Sequence, residues 1–317
     1  MRLTPSAVLS RAGQVVRPTG RGMVVPVGRP PQSLPPAIVL PPTAGMVGTA
    51  GILDAYVRVG PSAQLAVDLF AGEWSSALPD HLGVDAGHAA LFADGRISWL
   101  LDQVEDIKGD HVLELGPLEG GHSFQLSAAG ARVTAIEANT RAYLKCLVTK
   151  ELLDLTDCRF LLGDFGVYLE THPDERFDLA LASGVLYHST DPLRLLELLG
   201  RASDRLALWT HYYDPEIVPA TPSVGRHFTR EPVLRTFRDR DVRLHRRDYL
   251  EALHSNGFCG GPEVHALWME RDDLLGVLGE LGYTDIRVGA DDPTHVNGPC
   301  ILLYAERPGV EGTRNPF

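Results

Sequence analysis

The chain has 317 residues, 44% of them hydrophobic and 22% charged, with 41 acidic side chains against 29 Lys and Arg for a formal charge of −12. That length supports one large domain or two modest ones with a real core, and the acidic balance argues against nucleic acid as the default partner. The longest uncharged run, within Pro30–Leu53, holds six prolines, which excludes a membrane helix.

The apolar run after Arg2 is too short for an export signal, so the expectation is a soluble, cytoplasmic protein. Cys146, Cys158, Cys259 and Cys300 form no CxxC pair and read as reduced thiols. Residues 1–60 are Pro- and Gly-rich with short runs such as "GMVVPV", and read as irregular extended chain. Two helical patterns follow, over 61–74 and 87–107; in the second, Leu91, Ile97, Leu100, Leu101 and Val104 recur near helical spacing.

From residue 111 apolar strands alternate with amphipathic helices. Strands are predicted at 111–116, 132–138, 158–164, 177–183 and 205–213. Helices are predicted at 120–130, 140–155, 166–171 and 191–203. Continuous apolar strands belong to a parallel sheet covered on both faces, and strict alternation means a doubly wound α/β fold. The alternation breaks after Tyr213. Residues 214–265 are polar and Arg-rich, and read as an inserted lid. A helix over 266–283 and strands at 284–290 and 299–307 then complete the sheet. The expected organisation is an N-terminal extension with cap helices (1–109), a ligand-binding core (110–213), the lid (214–265) and a C-terminal helix with the last strands (266–317).

Three features fall at successive strand ends. Glu114, Gly116, Leu118 and Gly120 lie in "HVLELGPLEGG", Glu137 ends the second strand, and Asp164 ends the third. Glycine lets a ligand lie against the backbone. An acid 21 residues after Gly116 suits a ribose diol. Asp164 can accept from an adenine amino group beside Phe165. The middle glycine of a dinucleotide fingerprint is missing, and Glu119 in the turn is expected to repel a pyrophosphate.

Together, "VLELGPLEGGHS", "VTAIEAN", "FLLGDF" and "FDLALASGVLYH" resemble the class I S-adenosylmethionine-dependent methyltransferases, a Rossmann-like family, over roughly residues 90–213. "GVLYHSTDPLRLLELL" also resembles the subgroup related to the tRNA wobble-uridine carboxymethyl-transfer enzymes. The resemblance implies S-adenosylmethionine as cofactor, with the first turn on the methionine moiety, Glu137 on the ribose, and Asp164 with Phe165 on the adenine; Ser183, at the end of the fourth strand, joins this set.

His188, with Tyr187, closes "GVLYH" and is either a base near the transferring methyl or a histidine that orients the next helix. His211 is the other candidate base. Trp209, Tyr212 and Tyr213 end the fifth strand, as core packing or as an aromatic wall for substrate. Eight arginines between Arg226 and Arg247 form a solvated face or an anion site; Arg226, Arg235 and Arg238 are the substrate candidates, and helical spacing is expected to let Arg235 and Arg238 share a face. The histidines show no helical ligand spacing with a third acid, so no protein-held metal is expected, leaving room for Mg²⁺ carried with an anionic substrate. The reading is methyl transfer to a small anionic molecule by in-line displacement at the sulfonium, with alignment and water exclusion as the protein's contribution. A prenyl diphosphate would instead need Trp209 or Tyr213 beside a carbocation. The rivals are an RNA-modifying enzyme and a non-catalytic nucleoside-binding module; a homo-oligomer is compatible with either.

Overall fold

Seven strands in the order β3-β2-β1-β4-β5-β10-β9 form the main sheet. They are β1 (His111–Leu115), β2 (Arg132–Glu137), β3 (Cys158–Leu162), β4 (Leu179–Ser183), β5 (Arg205–His211), β9 (Asp285–Asp292) and β10 (Cys300–Glu306). The structure is a computed structural model describing residues 56–254 and 260–309. The extended runs expected before residue 56, and Cys259, lie outside the described residues. Strands β1 to β5 pair in parallel, and β10 runs antiparallel between β5 and β9.

The alternation expected from residue 111 is what forms. Helices α3 (Gly121–Ala128), α4 (Thr140–Leu152), α5 (Phe165–Thr171) and α6 (Pro192–Ala202) link the parallel strands, following α1 (Ala63–Val67) and α2 (Gly95–Gln103). Helix α6 shows why these segments are helical. Asp191 caps it by accepting from the Arg194 N–H at 3.1 Å, Pro192 occupies its first turn, and Leu193, Leu195, Leu196, Leu198 and Leu199 bury against the sheet. One core layer gathers Leu113, Leu196 and Leu303 with α6 and α9 (Arg271–Glu280); the other gathers Ile97, Leu100 and Leu126 with α2 and α3. No helix among the described residues is long and apolar enough to cross a membrane.

Three expected elements differ, the pattern over 87–107 being α-helical only at Gly95–Gln103. The first pattern, over 61–74, is helical only at Ala63–Val67, followed by a 3₁₀ turn; Trp74 turns back, its indole donating to Val67 O at 2.8 Å. The helix expected over 266–283 starts at Arg271, because Leu267, Trp268 and Met269 are an unbroken apolar run that belongs to strand β8 (His265–Met269). After β5 come α7 (Ile217–Ala220) and α8 (Pro222–Gly225), then a second sheet in the order β6-β7-β8, with β6 (Val233–Phe237) and β7 (Arg240–Asp248). It docks on the loop after β4: the Leu267 N–H donates to Ser189 O at 2.9 Å and the Trp268 indole to Tyr187 O at 3.0 Å.

Candidate functional site

The order of the main sheet reverses between β1 and β4, so the crevice at their carboxyl ends is where an open α/β sheet receives a ligand. Among the described residues, two buried oxygens there lack a hydrogen-bond partner: Ser183 Oγ, from β4, and Glu114 Oε1, from β1, which has only His122 Nδ1 nearby at 3.9 Å. The other Glu114 oxygen accepts from the Ser123 hydroxyl. Burial pushes the Glu114 carboxyl up, against the His122 charge and the Ser123 bond. His122 Nε2 lies 2.9 Å from Asp94 Oδ2; burial opposes ionisation of Asp94, but His122 and Arg96 outweigh it and hold the carboxyl well below the usual range.

Gly116, Leu118 and Gly120 all have positive φ, at 63°, 56° and 82°. A leucine pays for that conformation, and Glu137 holds it there: one Glu137 oxygen accepts from the Leu118 N–H at 3.0 Å, the other from the Asn139 N–H at 2.8 Å. Burial raises the Glu137 carboxyl and these amide bonds oppose it. At Gly120 a Cβ would come 3.2 Å from the Phe160 ring. Glu119 does not face this turn as expected. It points inward, accepts from the Ser75 and Ser76 N–H groups at 2.9 and 2.7 Å, and pairs with Lys145 at 2.8 Å, so it offers no repulsion to a ligand at the turn. Asp164 caps α5, accepting from the Val167 N–H at 3.0 Å, and half-buried Phe165 packs on the core beside it.

Beyond this crevice β5 raises an aromatic wall. Tyr187 lies edge-on to Trp209, His211 and Trp268, at 5.8, 4.7 and 6.1 Å between ring centroids. His211 stacks on Trp268 at 5.0 Å, and Arg96 lies over Trp209 at 4.6 Å. His188 Nδ1 and the Tyr249 hydroxyl are 2.7 Å apart. The structure thus brings Tyr187, His188, Trp209 and His211 together. Tyr212 turns to the opposite side, its hydroxyl donating to Asp291 at 2.9 Å. Tyr213 is stacked on His245 at 3.5 Å.

The arginine expectation changes most. Arg235 lies on strand β6 and Arg238 in the β6–β7 hairpin turn, with φ 53°, so the two share no helical face; both are exposed, as is Arg226. The arginine beside the wall is Arg247, on β7. It is half-buried, lies 5.4 Å over Tyr249 and 5.5 Å over Trp268, and its buried Nε has no hydrogen-bond partner among the described residues. Sequence spacing could not select it, because Trp268 reaches it through the β7–β8 pairing. That pairing also hid Trp268 itself.

Burial, with Arg247 and His211 nearby, lowers His188 to about 3. Its folded pKa lies below the unfolded value near 6.5, so its contribution is present above pH 6.5 and is lost as pH falls toward 3. Between pH 7 and 5 the loss comes to about 2 kcal/mol. Denaturant titrations at both pH values should show His188→Gln losing less stability than the wild type by about that amount; equal losses would mean that His188 titrates normally.

Residues 113–203 match a family described as a methyltransferase domain. The sheet core matches a methyltransferase domain over this span. The chain is 32% identical, over 103 residues, to a tRNA U34 carboxymethyltransferase of Campylobacter hominis, covering 32% of this chain and 34% of that protein; the chain thus spans about a third of the length of the curated relative it matches. In structure, the methyltransferase fold is similar to the N-terminal domain of EvdMO1 solved with S-adenosylhomocysteine and D-fucose, at TM-score 0.57 and 21% identity over 77% of this chain and 94% of that one. The same domain with S-adenosylhomocysteine alone gives the same values.

Proposed function

We propose that the protein transfers a methyl group from S-adenosylmethionine to a small anionic molecule. In support, Glu114 Oε1 and Ser183 Oγ lack hydrogen-bond partners among the described residues and would meet the cofactor's polar end; Glu137 would take the ribose hydroxyls, and Asp164 with Phe165 the adenine. When bound, S-adenosylmethionine supplies a methyl group on a good leaving group. The chain then has to align the nucleophile and exclude water, and Tyr187, Trp209 and Trp268 form an apolar wall suited to both. His211 Nδ1 donates to Gly298 O at 2.9 Å, which leaves Nε2 as an acceptor for a proton; His188 offers a second neutral imidazole beside it.

The observation that carries the anionic substrate is Arg247. A half-buried guanidinium stacked on two aromatic rings, without a carboxylate partner among the described residues, is costly unless an anion completes it. Methyl-labelled S-adenosylmethionine incubated with the protein and a cell extract should put label into small molecules retained by an anion exchanger. Arg247→Met should raise KM or cut turnover at least tenfold while leaving S-adenosylhomocysteine affinity within twofold; Ala at exposed Arg226, Arg235 or Arg238 should change turnover by less than twofold. Label recovered in tRNA instead would replace the small-molecule reading with the RNA one, which the tRNA-modifying relative and the solvent-facing arginines of β6 and its hairpin favour.

A further inference from the structure

We propose that His211, His295 and Cys300 form a site for a divalent ion of the zinc class, with one position left open toward the aromatic wall. Their ligand-type atoms all lie within 4.8 Å of one another. Fold register creates the cluster. His211 and Cys300 are direct partners across the β5–β10 pairing, so their side chains leave the same face of the sheet as neighbours. His295 reaches in from the turn between β9 and β10, its ring centroid 5.2 Å from that of His211.

His211 is prepared as a ligand. Its Nδ1–H donates to Gly298 O at 2.9 Å and to Pro299 O at 3.2 Å. That fixes the tautomer with the Nε2 lone pair free, which is how metal-bound imidazoles are oriented by a backbone carbonyl. The parallel stack on Trp268, with 5° between planes, fixes the ring's plane as well. Two imidazoles and a thiol are a nitrogen–sulfur donor set, suited to zinc rather than to Mg²⁺. Three protein ligands with a fourth position open is the pattern of zinc sites that act on a substrate.

Tetrahedral zinc needs its ligand atoms roughly 3.3–3.7 Å apart, so the three must draw in by about 1 Å. The turn that carries half-buried His295, with Thr294 and Val296 exposed on either side, is where this can happen. His295 Nδ1 accepts from the Asn297 N–H at 3.2 Å. Ligation through either nitrogen forfeits this bond, because Nδ1 becomes either occupied or protonated; Asn297 is exposed, and water can serve its amide instead. On uptake the Cys300 S–H proton leaves to solvent and the thiolate sulfur bonds to the ion. Asp291, Asp292 and Arg96 all act on this thiol, and Trp209 hydrogen-bonds to it, so its surroundings are mixed in charge and do not exclude a cation.

The open position would take an oxygen of the substrate, a hydroxyl or carboxylate, and would leave His188 as the free imidazole. That role rests on the proposed methyl transfer; the binding itself does not. Cobalt(II), a spectroscopic stand-in for zinc, is the probe. The purified protein, stripped with a chelator, should bind one equivalent with a thiolate-to-cobalt charge-transfer band in the near ultraviolet and visible bands as intense as those of tetrahedral cobalt, and added zinc should abolish both. Cys300→Ser should lose the charge-transfer band, and His295→Ala should weaken cobalt binding at least tenfold, with unchanged far-ultraviolet circular dichroism in each. No cobalt spectrum in the folded wild type, or the same spectrum in Cys300→Ser, overturns the site. Calorimetry with S-adenosylhomocysteine separates the two readings: its binding without a cobalt signal removes only the metal site, and a cobalt signal without its binding removes only the cofactor.

Discussion

Replacing Glu137 with alanine should weaken S-adenosylhomocysteine binding by about 100-fold or more. A ribose contact alone would account for part of this, since a hydrogen bond to a charged group contributes about 1.5–3 kcal/mol. The structure adds a second cause. Glu137 holds the Leu118 N–H and the Asn139 N–H through its two oxygens, so its loss also frees the turn from Gly116 to Gly120, in which Leu118 sits at positive φ. Two such bonds together come to at least about 3 kcal/mol, or two decades in affinity. Glu137→Gln keeps one acceptor but sets an amide N–H against a backbone donor, and should fall between the two. Calorimetry on all three proteins decides it: a loss under fivefold in Glu137→Ala would mean that neither ribose nor turn depends on this carboxylate, and tight NAD binding by the wild type would overturn the cofactor.

The largest effect on stability should come from Glu119. Its side chain is fully buried, and its oxygens are shared among the Lys145 ammonium and the Ser75 and Ser76 N–H groups. Removing one partner of a buried pair leaves the other charge uncompensated, at about 3–5 kcal/mol. Glu119→Ala should therefore lower Tm by roughly 10 °C, and Lys145→Ala by a similar amount. Replacing both partners, as in Glu119→Leu with Lys145→Met, should cost less than the sum of the single changes, because no buried charge is then left alone. Scanning calorimetry that finds additive single and double variants would show that the two side chains do not act as a pair. Ser75 and Ser76 lie 44 and 43 residues before Glu119, so this contact also ties the segment ahead of α2 to the glycine turn.

The sheet and the strand-end acids were legible because both depend on local pattern. A buried parallel strand is an apolar run, and an acid at its end is visible one residue at a time. Lys145 and Glu119 were not, since nothing in "GPLEGG" tells whether a glutamate points into the crevice or beneath it. The β6–β7 hairpin was misread for a different reason: β6 is exposed at four of its five positions, so its arginines carry no alternation that would mark a strand. Arg247 gains its importance from Trp268, and His211 from Cys300, through strand register alone. Contacts across 21 and 89 residues leave no trace in spacing. The same limit hid the strand character of "HALWM", whose partner is β7 and whose apolar run is followed within five residues by the apolar face of α9.

The place of β10 has a kinetic corollary. The last strand of the main sheet lies between β5 and β9, so β5 keeps an open edge until residues 300–306 have been synthesised and inserted. Its hydrogen-bonding partners in the finished fold are separated from it by about ninety residues along the chain at β5, and such distant pairings form late. During synthesis the Leu206–Leu208 stretch would therefore present an unpaired apolar edge for seconds, the kind of edge that recruits other chains. The protein should refold with a slow final phase that reports on β10. A ribosome-stalled or truncated chain ending before Cys300 should engage chaperones or aggregate, even though every parallel strand is already present.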